Sequence, residues 1–216
     1  MAYQRRSTPG FEGELAPVGT SGLIPPTFDI AFNRADDFEG SIEYELTRKT
    51  FLKALLGYEK LSDISTPSGN KRAQLLYSRA AINQILGKYL SVSMRYHYNE
   101  SRYLDGSGRK LPGIPRNSGD ARLVFVLPSQ IKAGLVESYT GQMFADDMNQ
   151  IKLKGYFRTD IYAQKEFFKK RAFVQVGINN LFNKDYKTLD HRSTWYNGFP
   201  LPARGRTFIL RGEFRF

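Results

Sequence analysis

The chain has 216 residues, with no Cys, one Trp, 13 Tyr and 16 Phe, and carries a formal charge of +11 at neutral pH. Only 41 % of it is hydrophobic, and no run approaches the roughly 18 apolar residues of a membrane helix, so helical membrane spans are excluded. Its Lys and Arg residues are scattered rather than gathered in one tract, which argues against nucleic acid and for a solvated basic face or attraction to anionic lipid.

Residues 1–6 are basic, but residues 7–22 are polar and Gly-rich, with no apolar core of a secretory signal. Residues 1–26 therefore read as an irregular segment. A first strand is expected where Phe28, Ile30 and Phe32 oppose Asp29, Ala31 and Asn33. Residues 39–47 alternate cleanly, with Ile42, Tyr44 and Leu46 against Ser41, Glu43 and Glu45. After a turn at residues 48–50, Leu52, Ala54, Leu56 and Tyr58 share one face. Residues 62–72, rich in Ser, Asp, Pro, Gly and Asn, predict a longer loop. Residues 75–84 form a weaker strand, ended by a turn at 86–88.

Residues 89–99 give the clearest pattern. Leu90, Val92, Met94, Tyr96 and Tyr98 point one way; Ser91, Ser93, Arg95, His97 and Asn99 point the other. The length suits the roughly 9–11 residues of a tilted membrane strand. A long loop over 103–118 follows, then a hairpin of 121–127 and 131–140 about Pro128-Ser129, and another loop over 141–154. Phe157, Thr159, Ile161 and Ala163 share a face, as do Ala172, Val174, Val176 and Ile178 after a turn at 168–170. The longest connection, 180–204, leads to a last strand with Phe208, Leu210, Gly212, Phe214 and Phe216 on one face. Thr207, Arg211, Glu213 and Arg215 fall on the other, with Ile209 the exception.

The expected fold is all-β: an antiparallel transmembrane β-barrel segment of about ten strands over residues 27–216, with short periplasmic turns and long extracellular loops. A cation on the lipid face at mid-membrane costs roughly 2–4 kcal/mol, so Arg95, Arg158, Asp160, Arg211 and Glu213 must point into a wet lumen. The competing reading of the alternation is a soluble sandwich with its apolar faces inside. A secreted barrel needs an export signal, so the chain is expected to be a piece of a longer protein.

The segment Ile178-Asn179-Asn180-Leu181-Phe182-Asn183-Lys184-Asp185-Tyr186 resembles the "NLF-x-K-x-Y" element near the C-terminus of TonB-dependent outer-membrane receptors. Gly205-Arg206-Thr207-Phe208, leading to Phe216, resembles the last strand of that family, and Phe38-Glu39-Gly40-Ser41-Ile42-Glu43 resembles its "G-x-E" strand opening. The resemblance implies a barrel of 22 strands around a plug domain. It also implies energised uptake of a scarce nutrient, a ferric siderophore foremost, across the Gram-negative outer membrane. This chain carries about ten strands and nothing that resembles the plug or the energy-coupling box. The implied partners are outer-membrane lipid, the barrel-assembly machinery and, if the missing plug half is supplied, the TonB energy-coupling system. The alternative is a small self-contained outer-membrane barrel acting as a pore or adhesin.

Among single residues, Arg192, Trp195 and Tyr196 in the longest loop, with Phe199 and Arg204 nearby, are candidates for gripping a cargo by charge and stacking. Self-packing of the loop is the competing reading. Phe208, Phe214 and Phe216 resemble the terminal signal read by the barrel-assembly machinery. Asp146, Asp147 and Asn149 offer oxygen ligands, but their spacing is not that of a calcium loop. His97, near Glu100 and Ser101, belongs to no catalytic motif, and His191 stands alone. No metal site, cofactor or enzyme activity is expected.

Overall fold

The computed structural model describes residues 34–66, 69–127, 129, 131–168, 171–189 and 200–214. Every element in them is a strand: Arg34–Thr47 (β1), Thr50–Thr66 (β2), Gly69–Leu86 (β3), Leu90–Tyr103 (β4), Asn117–Leu127 (β5) and Ile131–Thr140 (β6). Then come the short Met143–Phe144 (β7) and Lys152–Leu153 (β8), followed by Tyr156–Phe167 (β9) and Ala172–Asn179 (β10). The short Lys187–Leu189 (β11) and Pro200–Pro202 (β12) precede Thr207–Phe214 (β13). Nine strands make one antiparallel meander in the order β1-β2-β3-β4-β5-β6-β9-β10-β13, while β7-β8 and β11-β12 form two small ribbons. β1 and β13 are the two edges of this open sheet. The first strand expected, at residues 28–33, lies outside the described residues.

Register makes each strand's apolar stripe continuous with the next. Tyr44 pairs with Leu52, Leu52 with Ile82, Ile82 with Met94, and Met94 with Ala121. At the other edge Val176 pairs with Ala163 on one side and Leu210 on the other. A slip of one residue anywhere would turn a stripe to the wrong face. The apolar face is bare, with Phe38, Phe208 and Leu210 74–77 % exposed. Residues of the opposite face, among them Leu55, Tyr77, Val124, Val136 and Gln175, are buried because the sheet curls toward that side. Hydrocarbon outside and water inside is the only partition that suits both faces, and it removes the soluble sandwich.

Glu137 breaks the apolar face. Its carboxylate accepts a hydrogen bond from the Thr159 hydroxyl directly across the β6–β9 ladder, so the charge is not left bare. On the inner face, two tyrosines lie flat over glycines on the neighbouring strand. A Cβ on Gly57 would come within 2.2 Å of the Tyr77 ring, and one on Gly134 within 2.2 Å of the Tyr162 ring. Tyr77 then reaches Glu39 with its hydroxyl at 3.0 Å. These glycines are the flat seats that let aromatic rings tile the wall.

One expectation is overturned. Residues 62–72 are not a loop: β2 and β3 run through them for 17 and 18 residues and leave only 67–68 between them. The hairpin therefore projects beyond the bilayer, since a crossing needs only about 9–11 residues. The sequence obscured this because the ladder shifts between Leu61 and Ile64, where Asp63 takes a φ of 56°. The extra residue breaks the period of two, so Leu61 and Ile64 are both buried despite their odd spacing.

Candidate functional site

The loop ends of the strands build a cap. Leu61, Ile64 and Ala73 of the projecting hairpin pack with Tyr103 and with Leu111 and Ile114 of the 104–116 loop in one buried cluster. Each large side chain removed from water here contributes on the order of 2 kcal/mol, enough to fix a loop that has no regular structure. The loop also runs along β4: Asn99 N donates to Arg116 O and Tyr103 N to Arg109 O, both at 2.8 Å. A second loop, 141–155, is strapped to the first. Asn149 accepts from Lys110 N at 2.7 Å and donates to Lys110 O at 2.8 Å, and Gly113 N donates to Phe144 O at 2.7 Å.

Lys71 sits under both loops with its side chain 9 % exposed. Its ammonium stands 3.7 Å from Asp147, 3.9 Å from Asp105 and 4.9 Å from the centre of the Tyr103 ring. Asp105 in turn pairs with Arg109 at 3.0 Å. Bonds from the Ser107 hydroxyl and amide, with Arg109 beside it, hold the Asp105 carboxyl down to about 2. Asp146 turns both its oxygens to the amides of Gln150 and Ile151, so it shapes the loop. The acids that suggested a cation ligand are thus spent on the chain's own donors, and no metal cluster occurs among the described residues.

On the same loop side, next to the β13 edge of the sheet, the element that carried the family resemblance is a staple. Asn180 is 2 % exposed, with φ 53°. Its amide donates to buried Asp160 at 2.8 Å, and its side chain both accepts from Lys184 N at 2.8 Å and donates to Lys184 O at 2.9 Å. Asn183, with φ 50°, accepts from Arg206 N at 2.8 Å and so delivers the chain into β13. Tyr186 stacks on Tyr156 at 4.0 Å, fixing the base of the β11–β12 ribbon, while Phe182 points out, 73 % exposed. Arg192, Trp195 and Tyr196, with His191 and Phe199, fall in sequence between β11 and β12 and lie outside the described residues; so does Phe216, after β13. Phe208 and Phe214 stand on the lipid face, the latter edge-on to Phe168 at 6.3 Å.

Arg95, Arg158, Asp160, Arg211 and Glu213 all face the inner wall, and each charge has a partner. Arg95 bonds Asp120 across the β4–β5 ladder at 2.8 Å, Arg158 bonds Asp160 at 2.9 Å, and Arg211 bonds Glu213 at 3.0 Å. The register puts His97 and Ser101 on this wall and Glu100 on the outer face, so these three do not converge. The arrangement can line a wet passage and hold loops over one end; among the described residues it brings no nucleophile and base together.

Sequence reasoning missed the cap altogether. Leu111 and Ile114 lie in a Gly- and Pro-rich stretch without period, and the pairing of Lys71 with Asp105 and Asp147 joins three distant segments. An isolated apolar pair inside a polar loop was the available signal.

No family model matches the chain. The ferrioxamine receptor of Yersinia enterocolitica is 25 % identical over 205 residues, which cover 86 % of this chain and 27 % of that protein. Among solved structures, the ferric yersiniabactin uptake receptor of Yersinia pestis aligns with a TM-score of 0.68 at 18 % identity, over 84 % of this chain and 30 % of its own. A ferric citrate transporter aligns at 0.73 and 15 %, over 84 % and 31 %. A siderophore receptor of Acinetobacter baumannii aligns at 0.65 and 19 %, over 83 % and 28 %.

The fold and its two-faced wall define a partial transmembrane β-barrel of the Gram-negative outer membrane. More narrowly, the chain is similar to part of the barrel of TonB-dependent receptors. It spans 27–31 % of the length of these relatives. By name they are receptors and transporters.

Proposed function

We propose that the chain forms the C-terminal wall and part of the outer cap of a receptor that takes up a scarce, bulky nutrient, a ferric siderophore foremost, with energy from the TonB system. The observation that carries this reading is the pairing of an apolar outer band, interrupted at Glu137, with a charged inner wall, capped at one end by two interlocked loops. The names of the relatives, ferrioxamine and ferric yersiniabactin receptors among them, supply the cargo class. The order of the sheet favours a piece of a larger barrel over a self-contained pore, because β1 and β13 are its edges. In this reading transport is the work of the whole receptor, with its remaining strands and plug. Arg192, Trp195 and Tyr196 are the proposed cargo contacts, and Phe208, Phe214 and Phe216 the proposed assembly signal.

The test uses the single tryptophan. The whole receptor is refolded into lipid, with Trp195→Phe as the reference that isolates this residue's emission, and ferric desferrioxamine is titrated in. Saturable quenching of Trp195, absent without the metal and weakened in Arg192→Gln, is the expected result. Linear quenching identical in the Arg192→Gln protein would overturn the cargo reading.

A further inference from the structure

We infer that Glu137 and the trough beside it form a docking site, in the plane of the membrane, for a second outer-membrane protein that presents a lysine or arginine on its own lipid-facing surface. One row of the outer face runs Tyr44, Leu52, Ile82, Met94 and Ala121 and then reaches Glu137. The next row toward the loops holds Ile42, Ala54, Ala80, Tyr96, Gly119 and Tyr139. Glu137 is the one charge among these side chains.

Ionised side chains in the hydrocarbon layer are costly, and where they persist they are paired. The Thr159 hydroxyl covers one Glu137 oxygen, but a neutral donor does not cancel the charge. Among the described residues no cation pairs with this carboxylate. Lys165, on the same face, stands six residues down β9 from Thr159, about 20 Å away. Arg206 leads into β13, three strands along from β6 and so roughly 14 Å away. Neither reaches it, so the counter-charge comes from another molecule.

The trough decides what carries that charge. It has a volume of about 700 Å³, a floor that includes Ala54, Ala80, Gly119 and Ala121, and rings at its two ends, Tyr44 and Tyr139. Five strand spacings separate β1 from β6, roughly 24 Å, and the two rows lie about 7 Å apart. Such a slot suits a ridge of side chains on another protein, and small floor residues let a second backbone come close. The stem of a Lys or Arg can lie along the apolar floor with its head at Glu137. Tyr139 and Phe157, with ring centroids 4.6 Å apart, wall the Glu137 end and exclude water, which strengthens an ion pair formed there. A phospholipid does not match, because its ammonium comes with a phosphate that Glu137 repels. This inference is independent of the cargo.

Photocrosslinking of the whole receptor in intact outer membranes tests it. Phe157→p-benzoylphenylalanine puts the probe at the Glu137 end of the trough. Irradiation should give a protein adduct whose linked segment holds a lysine or arginine. Glu137→Gln should cut that adduct at least about tenfold, and Glu137→Lys should remove it until the partner's cation is changed to glutamate. Ala80→Phe, which fills the floor, should remove it too, whereas Val174→Phe, elsewhere on the lipid face, should not. Should the variants fail to assemble, the wild-type receptor decides through dicyclohexylcarbodiimide, an apolar reagent for carboxyls in hydrocarbon. Glu137 should be shielded in intact membranes and modified once the receptor is purified in detergent. Adducts to lipid or to a second copy of the receptor alone, an adduct as strong in Glu137→Gln, or equal modification in membranes and detergent would overturn the proposal.

Discussion

Asn180→Ala tests the most local piece of this reasoning. The change removes two side-chain hydrogen bonds to Lys184, at 2.8 and 2.9 Å, worth about 1 kcal/mol each. It also places an alanine at φ 53°, a left-handed conformation that costs about 1 kcal/mol more than for asparagine. The sum is about 3 kcal/mol. For a chain whose stability falls by about 2 kcal/mol per molar urea, the unfolding midpoint should drop by about 1.5 M. Asn180→Gly keeps the backbone angle and loses only the bonds, so its midpoint should fall by about 1 M. Intrinsic fluorescence of the refolded chain in micelles reads both. An unshifted midpoint in the alanine variant, or a glycine variant less stable than alanine, would refute the staple.

Further outcomes follow from other contacts. Asp147→Ala leaves the buried Lys71 ammonium with only Asp105 and should destabilise the cap by about 3 kcal/mol, read as faster amide exchange in residues 104–116. Gly134→Val drives a side chain into the Tyr162 ring and should lower the yield of folded barrel sharply; Gly134→Val with Tyr162→Ala should recover much of it. Val176→Arg, on the lipid face, should cost roughly 2–4 kcal/mol if it sits at mid-membrane, whereas Gln175→Arg, on the wall, should cost less despite its burial. Asp105 is held below its ordinary 3.8, so its contribution to the cap is complete above that pH and is lost as pH falls through about 2. Because the chain has no cysteine, a single Pro112→Cys takes a spin label in the same loop, and its mobility should rise only below about pH 4.

Most of the wall was legible before any coordinates. Alternation set the outward and inward residues of β1, β4, β9, β10 and β13, and the asymmetry of short and long connections set the two ends. This works because a bilayer imposes one rule on every strand, and each strand obeys it independently of its partners. The closing motif was legible in part: the Asn180 side chain acts locally, on Lys184, but Asn183 finds its partner in Arg206, 23 residues on. What sequence could not give was the projecting β2–β3 hairpin, where the shift at Leu61 and Ile64 erases the period and water, not lipid, surrounds the strands. Nor could it give the Lys71 clasp, which exists only because two loops carry Asp105 and Asp147 back over β3. Local pattern decides which way a side chain points; only the paired sheet decides whom it meets.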